Sequence, residues 1–269
     1  MSERETSATA APDARPDYRD VPPAEKPLLV RGVFDSVAPR YDLMNDLMSG
    51  GIHRLWKAAM VAWLRPHPGQ RLVDVAGGTG DIALRAWPWL APHGAPEVIG
   101  SGDHKSGPVV VCDPNLRMIE IGRARAFDRG ILDGIEWLGA AAEQLPLAER
   151  SFDLYTVAFG LRNVTDRAAA LAEARRVLRP GGRFMCLEFT PEVAPLLQPV
   201  YDLYSFQVVP LLGQLVAGDR DAYTYLVQSI RGFPRQSELA AAIAAAGFDQ
   251  VKFRNLTGGI AALHSAWRL

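Results

Sequence analysis

Val73-Asp74-Val75-Ala76-Gly77-Gly78-Thr79-Gly80-Asp81 decides the fold. An apolar run at 71–76 reads as a buried strand, and a helical pattern starts at Asp81. Glycines between the two let the backbone turn tightly and come close to a ligand, as Rossmann-type sheets do at the carboxyl ends of their strands. A dinucleotide site would place G-x-G-x-x-G here to seat a pyrophosphate. This turn has Gly78 and Gly80, but Leu84 stands where the third small residue belongs, with Ala83 beside it. The pattern suits a ligand without a phosphate. Taken alone, the glycines also fit a plain strand–helix turn.

Outward from the turn, β and α signals alternate. Ile52, Leu55, Trp56, Ala59, Trp63 and Leu64 fall at helical spacing over 50–64, with His53, Arg54 and Lys57 on the remaining positions and Pro66 as the stop. Downstream, helices are predicted over 81–86, 115–127, 167–178 and 236–246, the last capped by Gly247. Strands are predicted over 109–112, 135–138, 152–159 and 183–189, with a turn at Pro180-Gly181-Gly182. The end pairs 250–256 with 260–267 across Thr257-Gly258-Gly259. Five strands with helical crossovers and then a hairpin imply an α/β fold. Its sheet is seven-stranded and mostly parallel, with an antiparallel C-terminal hairpin strand.

Residues 1–27 are rich in Ala, Pro and charge without periodicity and read as a disordered tail, leaving 28–269 as one domain. Two segments do not fit the alternation. Residues 88–107 read as a turn-rich surface insertion. Residues 194–234 are long, aromatic and apolar, and read as a lid over a substrate. The net charge of −1 argues against a nucleic-acid partner. Cys112 and Cys186 stand far apart in apolar runs, so they read as buried thiols in a reducing cytoplasm. No metal spacing is present, and no apolar run reaches the ~20 residues needed to span a bilayer. Membrane contact would then be peripheral.

Asp113 ends the second strand, in Val-Val-Val-Cys-Asp-Pro. An acid there can accept both hydroxyls of a ribose and repel a ribose phosphate. A helix cap is its other use. Ala141 and Ala142 follow the third strand, where an adenine edge would meet backbone groups. Phe159-Gly160 ends the fourth strand.

These residues resemble the ubiquinone/menaquinone biosynthesis C-methyltransferase family from about Val30 to the end. Tyr41-Asp42-Leu43-Met44-Asn45-Asp46-Leu47-Met48-Ser49, running on through His53-Arg54-Leu55-Trp56-Lys57, carries the likeness first. Phe159-Gly160-Leu161-Arg162-Asn163-Val164 carries it second, and Arg176-Val177-Leu178-Arg179-Pro180-Gly181-Gly182 with Leu187-Glu188-Phe189 third. Asn255-Leu256-Thr257-Gly258-Gly259-Ile260 and Leu263-His264 extend it to the C-terminus.

The resemblance implies a class I S-adenosylmethionine methyltransferase fold and S-adenosylmethionine as cofactor. It implies methylation of a ring carbon on a polyprenylated benzoquinol or demethylmenaquinol. Gly77, Gly78, Thr79, Asp113, Ala141, Ala142 and Ala158 would bind the cofactor. Ala141 stands where the family commonly has Asn, and Ala158 where it has Ser, so backbone contacts replace side-chain ones at both. Arg162 would stabilise a phenolate, since arginine stays protonated, and a structural salt bridge is its competing use. Asn163 would hold a ring oxygen, and Tyr41 would bond the substrate or close over the cofactor. His53 and His264 read as structural. Methylation of another small phenol, a catalytically silent lipid-binding subunit of a quinone-biosynthesis assembly, and a homo-oligomer all remain compatible with the sequence.

Overall fold

In the computed structural model, the described residues are 49–91, 107–195 and 220–269, with residues 25, 30, 32, 46 and 199 in isolation. The 1–27 tail apart from Glu25, all but the two ends of the 88–107 segment, and most of the first half of the 194–234 segment lie outside them.

Seven strands form one sheet: β1 Leu72–Val75, β2 Val109–Asp113, β3 Ile135–Gly139, β4 Phe152–Ala158, β5 Leu178–Phe189, β6 Asp249–Leu256 and β7 Ala261–Arg268. Their spatial order is β3-β2-β1-β4-β5-β7-β6. β1 to β5 are mutually parallel, and β7 runs antiparallel to both of its neighbours. The chain winds one way from β1 to β3 and the other way from β4 outward. The switch between β1 and β4 opens a crevice at their carboxyl ends, where doubly wound sheets take their ligands.

Helices cover both faces: α1 His53–Leu64, α2 Asp81–Leu90, α3 Leu116–Asp128, α4 Arg167–Val177, α5 Arg220–Arg231 and α6 Gln236–Ala245. Alternation along the strands fills two cores. Leu72, Val109, Val111 and Leu187 pack with α1 and α2, while Val73, Val75, Val110 and Cys112 face the other way toward α4 and α6. Both cysteines are buried, and burial pushes the Cys112 thiol up to about 12.

The structure departs from the sequence reading in three places. α1 buries His53, Trp56, Lys57, Met60, Val61 and Leu64 and leaves Leu55 69% exposed, so the helix is rotated from the expected face. His53 and Lys57 lie one turn apart on the buried side because each finds a polar partner there. α2 runs past the expected end at residue 86 and through Pro88 to Leu90. Pro88 removes one helical hydrogen bond, but Leu90 is buried in the core one turn on. The Pro180-Gly181-Gly182 turn sits inside β5, where pairing with β4 skips from Leu178 to Arg183.

Candidate active site

Strand alternation puts Asp74 on the same face as Leu72, pointing toward α2. Its carboxylate accepts from the Ala83 N–H at 3.2 Å and from the hydroxyl of Thr156, its partner on β4, at 2.8 Å. Burial pushes this acid up to about 7, against those two donors, which favour the charged form. After Val75 the chain enters the glycine turn. A Cβ on Gly77 would stand 2.7 Å from the Val111 side chain. Gly80 has φ 74, and a Cβ there would meet the Trp137 ring at 2.5 Å. Trp137 reaches across from β3 and clamps the turn, which explains why glycine stands at that position.

The turn is tied to β2. Asp113 is 8% exposed; its Oδ2 accepts from the Gly78 N–H and its Oδ1 from the Asn115 N–H, each at 2.8 Å. Burial raises its carboxyl to about 6 despite those bonds. Asn115, not Asp113, caps α3 by accepting from the Met118 N–H. Thr79 is buried, and its hydroxyl accepts from Arg125 of α3 at 2.9 Å. At the end of β3, Ala140 donates its N–H to the Asp113 carbonyl. Ala142 is buried and Ala141 exposed. Glu143 closes that loop by accepting the Thr165 and Asp166 N–H groups at 3.0 and 3.3 Å.

A small, partly open cleft lies over this turn. Ala76, Gly77 and Thr79 line it from the turn, Asp74 and Asp81 from either side, Ala158 from β4 and Lys57 from α1. Lys57 donates to Asp81 Oδ2 at 2.8 Å, and Arg85 donates to Asp81 Oδ1 at 2.9 Å. Burial pushes Asp81 up, but the two cations outweigh it and bring the acid down to about 2. His53 sits nearby, 2.9 Å from the Ser49 hydroxyl. Burial, reinforced by Lys57, holds it down at about 4, which keeps the ring neutral. His264 is likewise buried, with Nε2 at 2.9 Å from the Gln236 carbonyl.

Beyond Ala158 the chain bends at Phe159, whose φ of 58 lies in the left-handed region that bulky residues rarely adopt. Leu187 accepts the Phe159 N–H at 2.8 Å, and Arg162 donates to the Phe159 carbonyl. A single 3₁₀ turn, Leu161–Asn163, follows. Arg162 is 5% exposed and donates to Glu188 Oε1 at 2.7 Å; Glu188, 1% exposed, also accepts the Arg162 and Phe189 N–H groups. Asn163 accepts from the Tyr225 hydroxyl of α5 at 2.9 Å.

Gly77, Thr79 and Ala158 therefore share one cleft, with Gly78 and Asp113 bonded to each other beside it. Ala141 and Ala142 adjoin Asp113 through β3. Arg162 and Asn163 stand a few residues past Ala158 and are not among the cleft's lining residues. Tyr41 lies outside the described residues. The sequence reading gave no site role to Lys57, Asp74, Asp81, Glu188 or Tyr225. All five sit inside stretches that reading marked, yet nothing local showed them facing one another.

A sheet parallel from β1 to β5, with β7 inserted antiparallel between β5 and β6, a glycine turn after β1 and an acid closing β2, matches the S-adenosylmethionine-dependent methyltransferase fold. An S-adenosylmethionine-dependent methyltransferase from Thermotoga maritima matches it with a TM-score of 0.60 at 20% identity, over 88% of this chain and 99% of that one. Phosphoethanolamine N-methyltransferase 2 of Haemonchus contortus, in complex with S-adenosyl-L-methionine, matches with a TM-score of 0.55 at 12% identity, over 80% of this chain and 52% of that one. Residues 23–268 match the ubiE/COQ5 methyltransferase family, and the chain belongs to that family. The ubiquinone/menaquinone biosynthesis C-methyltransferase UbiE of Brucella canis is 52% identical over 254 residues, 94% of this chain and 90% of the relative. Its counterpart in Brucella anthropi is 50% identical over 94% of this chain and 92% of the relative. The chain is a methyltransferase that uses S-adenosylmethionine.

Proposed function

We propose that this enzyme methylates a ring carbon of a polyprenylated benzoquinol, a demethylmenaquinol or both. The observation that carries the reading is the half-identity, over nearly the whole chain, to C-methyltransferases of ubiquinone and menaquinone biosynthesis. S-adenosylmethionine supplies an electrophilic sulfonium methyl, so the protein has to provide alignment and an electron-rich carbon.

Gly77, Gly78 and Thr79 shape the donor seat, and Ala141, Ala142 and Ala158 offer it backbone and small-side-chain contacts. Asp113 fits a ribose. Each of its oxygens has two lone pairs and holds one protein N–H, leaving one acceptor apiece for two hydroxyls. On the acceptor side, Arg162 holds a ring oxygen as phenolate, which raises electron density on the ring. Glu188 fixes the guanidinium, so Arg162 orients and stabilises rather than abstracting a proton. Asn163 holds a second ring oxygen, and Tyr41 closes over the site.

Residues 194–234 form the lid in this reading. No helix among the described residues is long and apolar enough to cross a membrane. The prenyl tail would accordingly enter while the protein touches a membrane surface peripherally.

The test uses purified enzyme, methyl-labelled S-adenosylmethionine and reduced short-tailed quinone precursors of both kinds. Mass spectrometry should place the label on a ring carbon. Label on oxygen, or on a phenol lacking the prenyl tail in preference to the tailed one, would sink the proposal.

A further inference from the structure

Lys57 is 5% exposed, which is unusual for lysine unless it has a partner. Its partner Asp81 does not need it, because Arg85 already holds the other carboxylate oxygen at 2.9 Å. Elsewhere α1 buries His53 and the apolar Trp56, Met60, Val61 and Leu64, which would anchor the helix without an ammonium. A buried charge is costly unless it is paired, and this pair stands on the wall of the cleft rather than within the packed core. Lys57 is the one cation lining the cleft among the described residues, and the two acids there, Asp74 and Asp81, would repel an anion. Three N–H groups of the glycine turn are already engaged. The Gly77 N–H is bonded to the Cys112 carbonyl, the Gly78 N–H to Asp113 and the Gly80 N–H to the Gly77 carbonyl.

The geometry points to Lys57 as the residue that binds the α-carboxylate at the amino-acid end of S-adenosylmethionine, with Asp81 holding its ammonium in place. An ammonium has three donors, and Asp81 takes one. The Phe159 ring, its centroid 5.9 Å from Nζ, walls the charge on another side. Asp81, kept ionised by its two cations, also complements the α-ammonium of the same ligand. The inference rests on the reading that this cleft is the donor seat.

Calorimetry on the full-length enzyme tests it with three probes: S-adenosylhomocysteine, its decarboxylated analogue and 5′-methylthioadenosine, which lacks the whole amino-acid end. Wild type should bind the decarboxylated analogue about 10–100-fold more weakly than S-adenosylhomocysteine, the range for one charge-assisted hydrogen bond. Lys57→Met should lose the same factor for S-adenosylhomocysteine and keep its affinity for 5′-methylthioadenosine within about twofold; Lys57→Arg should recover part of the loss. Asp81 stays paired with Arg85 in both variants, and the wild-type probe comparison stands even if a variant misfolds. Equal losses for all probes in Lys57→Met would make Lys57 a wall of the cleft and overturn the inference. Unchanged S-adenosylhomocysteine affinity with reduced turnover would overturn it in favour of a role toward the quinol. If no probe binds wild type, the donor-seat reading itself fails, which is a different result from a uniform loss in the variant.

Discussion

The two halves of the proposed site, a donor end and an acceptor end, are held together by different means. At the donor end, the charge on Asp113 is met by backbone: the Gly78 and Asn115 N–H groups, one within the glycine turn and one two residues ahead. At the acceptor end, the charge on Arg162 is met by a side chain 26 residues away, Glu188, and Asn163 is met by Tyr225, 62 residues away. A backbone-built site is set as soon as β1 and β2 pair. A side-chain-built site exists only once β5 and α5 have packed. The donor end should therefore fail gradually when one group is removed, whereas the acceptor end should fail steeply.

The steepest failure should come at the buried pair. Glu188→Ala takes the Glu188 carboxylate from the buried Arg162 guanidinium and should cost about 3–5 kcal/mol of stability, read by urea unfolding. Arg162→Met with Glu188→Met removes both charges together and should recover most of that loss while abolishing turnover. If the double variant is as unstable as the single, the packing of β5 holds this region rather than the ion pair, and the contrast between the two ends breaks down.

Asp113 should give a smaller effect on stability and a larger one on binding. Asp113→Ala removes two charge-assisted acceptors, each worth roughly 1.5–3 kcal/mol, so calorimetry should show S-adenosylhomocysteine affinity falling at least a hundredfold with the fold retained. The same carboxylate makes affinity depend on pH. Its carboxyl is raised above the ordinary range to about 6, and only the ionised form accepts both hydroxyls. Affinity should thus be full above pH 6 and fall as pH falls through 6, by up to about tenfold per unit below it. Asp113→Asn should erase the dependence around pH 6, which assigns it to Asp113 rather than to Asp74, whose carboxyl is raised to about 7 on the same cleft.

The same contrast explains what could be read from the sequence. The glycine turn, Asp113 and the run of parallel strands follow from local pattern, because each depends on neighbours within one βαβ unit. α1 was rotated in the sequence reading because Leu55 and Ile52 look like core residues, while Lys57 and His53 look like surface. Asp81, brought in by the tertiary fold, and Ser49, one turn upstream of His53, make the polar pair buriable. Glu188 and Tyr225 went unassigned for a related reason. An acid in a β-strand and a tyrosine in an aromatic-rich helix carry no local mark of what they will face across the sheet.

The smallest effect should come from Tyr225, and it is the most discriminating because the change removes a single hydroxyl. Tyr225 is 7% exposed on α5, and its hydroxyl fixes the Asn163 amide by donating to Oδ1 at 2.9 Å. Phenylalanine keeps the ring and its packing, so Tyr225→Phe should change stability by no more than about 1 kcal/mol, the net worth of an ordinary hydrogen bond. Freed of that bond, Asn163 would sample other rotamers and hold a ring oxygen less often. The expected result is a few-fold drop in kcat at saturating quinol, with S-adenosylhomocysteine affinity unchanged. Asn163→Ala should lose more than Tyr225→Phe, and adding Tyr225→Phe to it should cost nothing further, since the bond is already gone. A Tyr225→Phe enzyme with normal kcat would mean that α5 supports the fold alone. A loss that instead appears in donor affinity would mean that the two ends of the site are mechanically joined, and that their separation into a backbone-built and a side-chain-built half does not hold.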